Sequence, residues 1–154
     1  MARNAIYPPS VKPGIPREWP LPAGWTWTPL ADVIEVVERP ATLADDTVYQ
    51  LVNAKRNRGG IVARDRLPGL EILTKSQFFV KAGDFVISRR QIIHGACGVA
   101  PEVLDGAVVS NEYATLRTRG TLEPDYLRLL SHTPYFQMTC FQSSVGVDVE
   151  KMVF

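Results

Sequence analysis

The sequence predicts an α+β domain: mixed strands first, then a C-terminal helical part. Three observations predict it. Short runs rich in β-branched and aromatic residues recur between 48 and 117, separated by Gly, Asn and Asp. Two stretches opened by proline, at Pro124 and Pro134, close the order with helical patterning. The 154 residues are 45% hydrophobic and 21% charged, which suits one domain with its own core.

Residues 1–20 form a proline-rich extended arm, since Pro8, Pro9, Pro13, Pro16 and Pro20 leave no room for a helix or central strand. The folded domain is expected over 21–154. Thr28-Pro29 reads as an N-cap and first helical position, opening a short helix over about 30–34. Trp25, Trp27 and Leu30 are expected in the core. Val48 to Val52 is a strand, 53–60 a basic loop ended by two glycines, and Ile61 to Ala63 a second strand. Phe78-Phe79-Val80 and Phe85-Val86-Ile87 flank Lys81-Ala82-Gly83-Asp84, which predicts a hairpin with Gly83 supplying the unusual backbone angle. Strands follow at 98–100, 107–110 and 113–117. One helix starts at Glu123-Pro124, with Tyr126, Leu127 and Leu130 on a shared face. A second runs from Thr133-Pro134 to about Gln142. Ser143 to Gly146 breaks it, ahead of a last piece over 147–154.

Net charge is +1, but it is unevenly spread. Residues 49–95 hold nine basic and three acidic side chains, whereas the flanking segments are both acidic on balance. A local cationic patch of this kind attracts polyanions although the whole chain is near neutral. No apolar run reaches the ~20 residues of a membrane helix. With two cysteines and no secretory signal at the N-terminus, a reducing, cytoplasmic and nucleoid-associated location is expected.

Enzyme signatures are sparse. No phosphate-cradling G-x-x-x-x-G-K-[ST] loop occurs, and no glycine fingerprint for a dinucleotide or methyl donor follows a strand. His94, His132, Cys97 and Cys140 have no zinc spacing, so no metal or cofactor is expected. Asp148-Val-Glu-Lys151 matches a nuclease site in composition only. His94 and Cys97 leave open a cysteine-dependent enzyme, against the reading of a small buried cysteine in a glycine-rich bend.

The basic segment supports a different chemistry. Lys55, Arg56, Arg58, Arg64 and Arg66 cluster around one loop, with Asn53 and Asn57 among them. Ser88, Arg89, Arg90, Gln91 and His94 follow a hydrophobic strand. Arginine presents a fork that fits guanine, and Asn or Gln can pair bidentately with adenine. Phosphate binding would need only charge, so the mixture favours base reading. An RNA or single-strand binder, stacking bases on Phe78, Phe79 or Tyr113, remains open, as does a protein-interaction module.

Several motifs, in order, resemble one family. Leu21-Pro-Ala-Gly-Trp-Thr-Trp-Thr-Pro-Leu30 is similar to the opening of target-recognition domains in the specificity subunits of type I restriction–modification systems. Val80-Lys-Ala-Gly-Asp-Phe-Val-Ile-Ser-Arg89 resembles their central Gly-Asp strand, and Gly95-Ala-Cys-Gly-Val99 the small-residue turn after it. Val108 to Tyr113, Asp125-Tyr-Leu127 with Tyr135-Phe136, and Ser144-Val-Gly146 continue the pattern. The resemblance implies an α+β fold, a twisted mixed or antiparallel β-sheet carrying recognition loops with a C-terminal helical support, that reads part of a double-stranded DNA target without catalysis. It implies methyltransferase (modification) subunits as partners, and a restriction subunit beside them. Under it, the expected DNA contacts are Ser88, Arg89, Arg90, Gln91 and His94, with Asn53, Lys55, Arg56, Asn57 and Arg58. Such subunits carry two domains of this type separated by long helices, and this sequence has one.

Overall fold

A computed structural model describes residues 20–142. In chain order the elements are α1 (Leu30–Val33), β1 (Ile34–Val36), β2 (Pro40–Ala41), β3 (Val48–Lys55), β4 (Gly60–Pro68), β5 (Gln77–Phe79), β6 (Phe85–Ser88), β7 (Cys97–Val99), β8 (Val108–Ser110), β9 (Tyr113–Thr118), α2 (Pro124–Ser131) and α3 (Pro134–Gln142). The α+β order is as expected. Residues 1–19 and 143–154, and with them all of the arm but Pro20, the Ser143–Gly146 breaker and Asp148 to Lys151, lie outside the described residues.

The strands form two sheets. One has the order β1-β9-β6-β7, the other β2-β5-β8-β3-β4. The pairs are antiparallel except β3 with β8, which are parallel. β6 explains why. Phe85, Val86 and Ile87 are consecutive and all buried, so this strand is covered on both faces. Phe85 and Ile87 belong to a core shared with Leu127, Phe136 and Cys140 of the helices, and Val86 to a second core with Val52, Ile61 and Val109 of the other sheet. Side chains alternate along a strand, so β6 serves both.

The hairpin expected across Lys81–Asp84 is not formed. The turn itself is there, with the Asp84 N–H donating to the Lys81 carbonyl at 3.0 Å and Gly83 at φ 83°. However, β5 pairs with β2 and β8 while β6 pairs with β7 and β9, so the turn carries the chain from one sheet to the other. Turn chemistry dictates reversal, not partnership.

Asp84 closes this crossing. Its side chain has 0% exposure and receives Arg39 at 2.7 Å, Arg117 at 2.6 Å and the Lys81 N–H at 2.8 Å. Arg39 immediately precedes β2, and Arg117 lies on β9. One carboxylate therefore ties both sheets to the turn. Burial alone would push its pKa up, but the Arg39, Lys81 and Arg117 hydrogen bonds outweigh this and hold it below its ordinary value.

Two further expectations are corrected. Thr28 does not cap α1. Pro29 occupies the cap position with ψ 137°, no side chain caps it, and the helix has only four residues. The same dipeptide works at α3, where the Phe136 N–H donates to Thr133 Oγ1 at 3.2 Å. Trp25 and Trp27 are not core: they are 60% and 37% exposed, and Leu30 is exposed as well. The two tryptophans precede α1, Trp25 closing a turn on the Pro22 carbonyl and Trp27 meeting Tyr135 of α3 with ring centroids 5.7 Å apart. In α2, Leu127 is buried and Tyr126 exposed, because adjacent helical residues point about 100° apart.

Candidate nucleic-acid interface

β3 and β4 form the longest strand pair, and their pattern sets the first part of the site. From Val52 to Lys55 burial alternates, so Val52 and Ala54 face the core while Asn53 and Lys55 face outward. The strand thus runs three residues beyond its expected end, and these two expected loop residues sit on a sheet surface. Arg56 to Gly59 make the turn, closed by the Gly59 N–H donating to the Arg56 carbonyl at 3.1 Å. Asn57 and Arg58 have φ 56° and 62°, the positive pair of a primed hairpin turn. Asn tolerates this conformation, whereas Arg in it costs about 1 kcal/mol. Lys55, Arg56, Asn57 and Arg58 are all exposed.

The second part is the connection from β6 to β7. Its amides fold it back on itself: Gln91 N–H to Ser88 O at 3.1 Å, His94 N–H to Gln91 O at 2.9 Å, and Ser88 N–H to Ala96 O at 3.0 Å. Arg89 is half-buried; its N–H donates to the Glu112 carbonyl and its Nε to the Tyr113 carbonyl at 3.4 Å. Arg90 is exposed and pairs with Glu112 at 2.9 Å. Gln91 is half-buried, and its Oε1 finds no hydrogen-bond partner among the described residues. Ser88 is 7% exposed and belongs to the inner base of the loop.

Two main-chain bonds join these parts. The Asn57 N–H donates to the His94 carbonyl at 2.7 Å, and the Arg58 N–H to the Gly95 carbonyl at 3.3 Å. The hairpin tip is therefore seated on the β6–β7 loop, and the two expected contact groups occupy one end of the molecule. Below the tip, a Cβ on Gly98 would stand 3.2 Å from Gly60 Cα, so the seam closes through glycines.

Arg64 and Arg66 do not join the cluster. They lie along β4, with Arg66 opposite Gln50, roughly 20 Å from the tip at ~3.3 Å per residue. Arg64 pairs with its neighbour Asp65 at 3.0 Å. Lys55, Arg56 and Arg58 form no ion pair among the described residues.

Sequence reasoning missed a third contributor. The β8–β9 turn, with exposed Asn111 beside Glu112, reaches the same end because Tyr113 pairs with Ser88. A shallow groove there is lined by Val36, Glu38, Phe78, Arg89, Asn111 and Tyr113. The signal was an Asn-Glu pair between two apolar strands, a turn composition.

The thiol chemistry considered for Cys97 is not supported by its surroundings. Cys97 is buried, and burial pushes its pKa up to about 11, against a smaller opposing effect from Ser131. Cys140 beside it is pushed higher still by burial. At neutral pH both are thiols, not thiolates. A water-soluble thiol reagent is expected to leave folded protein unmodified at pH 7.5, and to react fully after denaturation. Rapid modification of Cys97 in the native state would reopen the cysteine-enzyme reading. Among the described residues no group of three His, Cys, Asp or Glu could hold a metal ion, and no helix is long and apolar enough to cross a membrane.

Neither a protein-family model nor a curated protein matches the chain. A solved structure does. Over 88% of this chain and 36% of its own, the HsdS subunit from Thermoanaerobacter tengcongensis superposes with a TM-score of 0.71 at 20% sequence identity. The chain thus spans about a third of that subunit, and the two-sheet fold with its closing helices is the fold of that part of HsdS.

Proposed function

We propose that this chain is a target-recognition domain of a type I restriction–modification specificity subunit, reading double-stranded DNA without catalysing a reaction. The carrying observation is the seating of the Arg56–Gly59 turn on the His94–Gly95 carbonyls, which gathers Lys55, Arg56, Arg58, Arg90 and His94 at one end. The shared fold with HsdS, a type I specificity subunit, supports the same reading. The two-stranded tip of β3–β4 suits a major groove about 12 Å wide, which admits a β-ribbon. Lysine would hold phosphates, while Arg56, Arg58, Arg90, Asn53 and Asn57 would meet base edges; the Gln91 side-chain oxygen is buried, so Gln91 would support the loop from within. Methylation and cleavage would belong to methyltransferase and restriction subunits in the cytoplasm, directed to the target by this domain. A single module of this size covers roughly 600–1,000 Å², so affinity alone would be modest and strongly salt-dependent.

Selection from a random duplex library, with and without methyltransferase partners, tests this. Enrichment of a short shared sequence is the expected result. No enrichment in either arm would overturn the proposal. The exposed Trp25 and Trp27 give a second reading a stacking surface for unpaired bases. A single-stranded RNA competitor that displaces the duplex at equal concentration would favour it.

A further inference from the structure

Gly95 separates the two basic segments in a way that charge does not require. It sits at φ 76°, in the left-handed region, at the end of the Ile92–His94 turn. A Cβ there would stand 3.2 Å from the Arg58 backbone nitrogen and 3.1 Å from Gln137 Nε2. Gln137 belongs to α3 and is itself buried. The glycine thus lies between the hairpin tip and the helical part, with its carbonyl holding the tip. On the other side of the contact, Arg58 carries a positive φ that an arginine adopts only when its surroundings impose it.

We propose that Gly95 is a positioning residue for sequence discrimination: it fixes the distance between the Arg56–Gly59 turn and the Arg89–His94 loop so that both meet the duplex in one register. This rests on the DNA-reading proposal above. Phosphate attraction depends on how many cations are present and tolerates shifts of an ångström. Base reading does not, because bidentate pairs need both heavy-atom distances near 2.9 Å. A perturbed seat therefore separates the two kinds of binding.

The test uses the full chain with Gly95→Ala and Gly95→Asn. Asn tolerates the left-handed backbone but still brings a Cβ, so it isolates the contact from the backbone strain. Both variants are expected to lose discrimination between the selected duplex and a scrambled one by about tenfold, what one misread base pair costs. Affinity for the scrambled duplex and its salt slope are expected to stay within about twofold, since no cation is removed. Amide exchange in the unmodified protein supplies an independent readout: Asn57 and Arg58 should exchange at least about tenfold more slowly than the free chain, and lose this protection in the variants. Retained discrimination in both variants overturns the positioning role. Unprotected Asn57 and Arg58 amides in the parent overturn the seat itself. Global unfolding of both variants replaces the proposal with a purely structural role. A parent protein with no preferred duplex sinks the DNA-reading proposal, a result distinct from these.

Discussion

Asp84→Ala is expected to destabilise the domain by about 3 kcal/mol. Breaking a buried ion pair by removing one partner typically costs about 3–5 kcal/mol. The low end applies because the Arg39 and Arg117 side chains keep 21% and 41% exposure, so water can rehydrate them once the carboxylate is gone. Asp84→Asn keeps the volume, but its amide donor would face two guanidinium donors, so it should recover little. Thermal unfolding checks both: a drop of about 6–12 °C follows from two to four degrees per kcal/mol at this chain length. An Asn variant as stable as the parent would show that packing, not charge, closes the crossing. The pH dependence has a definite sign. The folded pKa lies below the ordinary value of 3.8, so the ionised form is the one the fold favours. Its contribution is complete above the unfolded-state pKa and is lost as pH falls through the lowered folded value. The acid limb of a stability curve should therefore flatten below pH 4 in Asp84→Asn.

Replacing Lys55, Arg56 and Arg58 together with alanine is expected to weaken duplex binding on the order of 10²-fold or more at physiological salt. A guanine-reading arginine is worth about 1–3 kcal/mol, and each cation seated on a phosphate adds about 0.9 to the slope of log K against log salt. Because the three side chains adjoin, their effects need not add. Stability should change by less than about 1 kcal/mol, since these exposed residues form no ion pair among the described residues. Titrations at several salt concentrations read both quantities. Unchanged affinity and slope, with the fold intact, would remove the hairpin tip from the interface.

The α+β order, β6, α2 and α3 were legible because each rests on local pattern. Three consecutive apolar residues in Phe85-Val86-Ile87 signal burial on both faces, and Glu123-Pro124 and Thr133-Pro134 supply helix starts. What failed was pairing. The Lys81–Asp84 turn has hairpin composition, yet its strands enter different sheets, and no local residue encodes that choice. Trp25 and Trp27 were misplaced because bulk alone does not bury a side chain on a segment ahead of the first helix. Within the site, the clustering of cations was legible and their arrangement was not. Arg64 and Arg66 adjoin the tip residues in sequence, but an extended strand carries them away. The seat on His94 and Gly95 is built from main-chain groups, which leave no side-chain signature beyond the glycine itself. Asp84 carried a visible Gly-Asp motif whose purpose needed the distant Arg39 and Arg117.

β1 and β9 adjoin in the first sheet, with Ile34 opposite Thr118. That pairing sets a schedule for maturation. A ribosome must deliver almost the whole β part before the first strand meets its partner, and until then an edge of β6 stands open. Chains dominated by such distant pairings fold slowly, typically in milliseconds to seconds, because loop closure must precede any reward from contact. Nascent copies of this domain are accordingly exposed to aggregation for longer than a helical bundle of equal size.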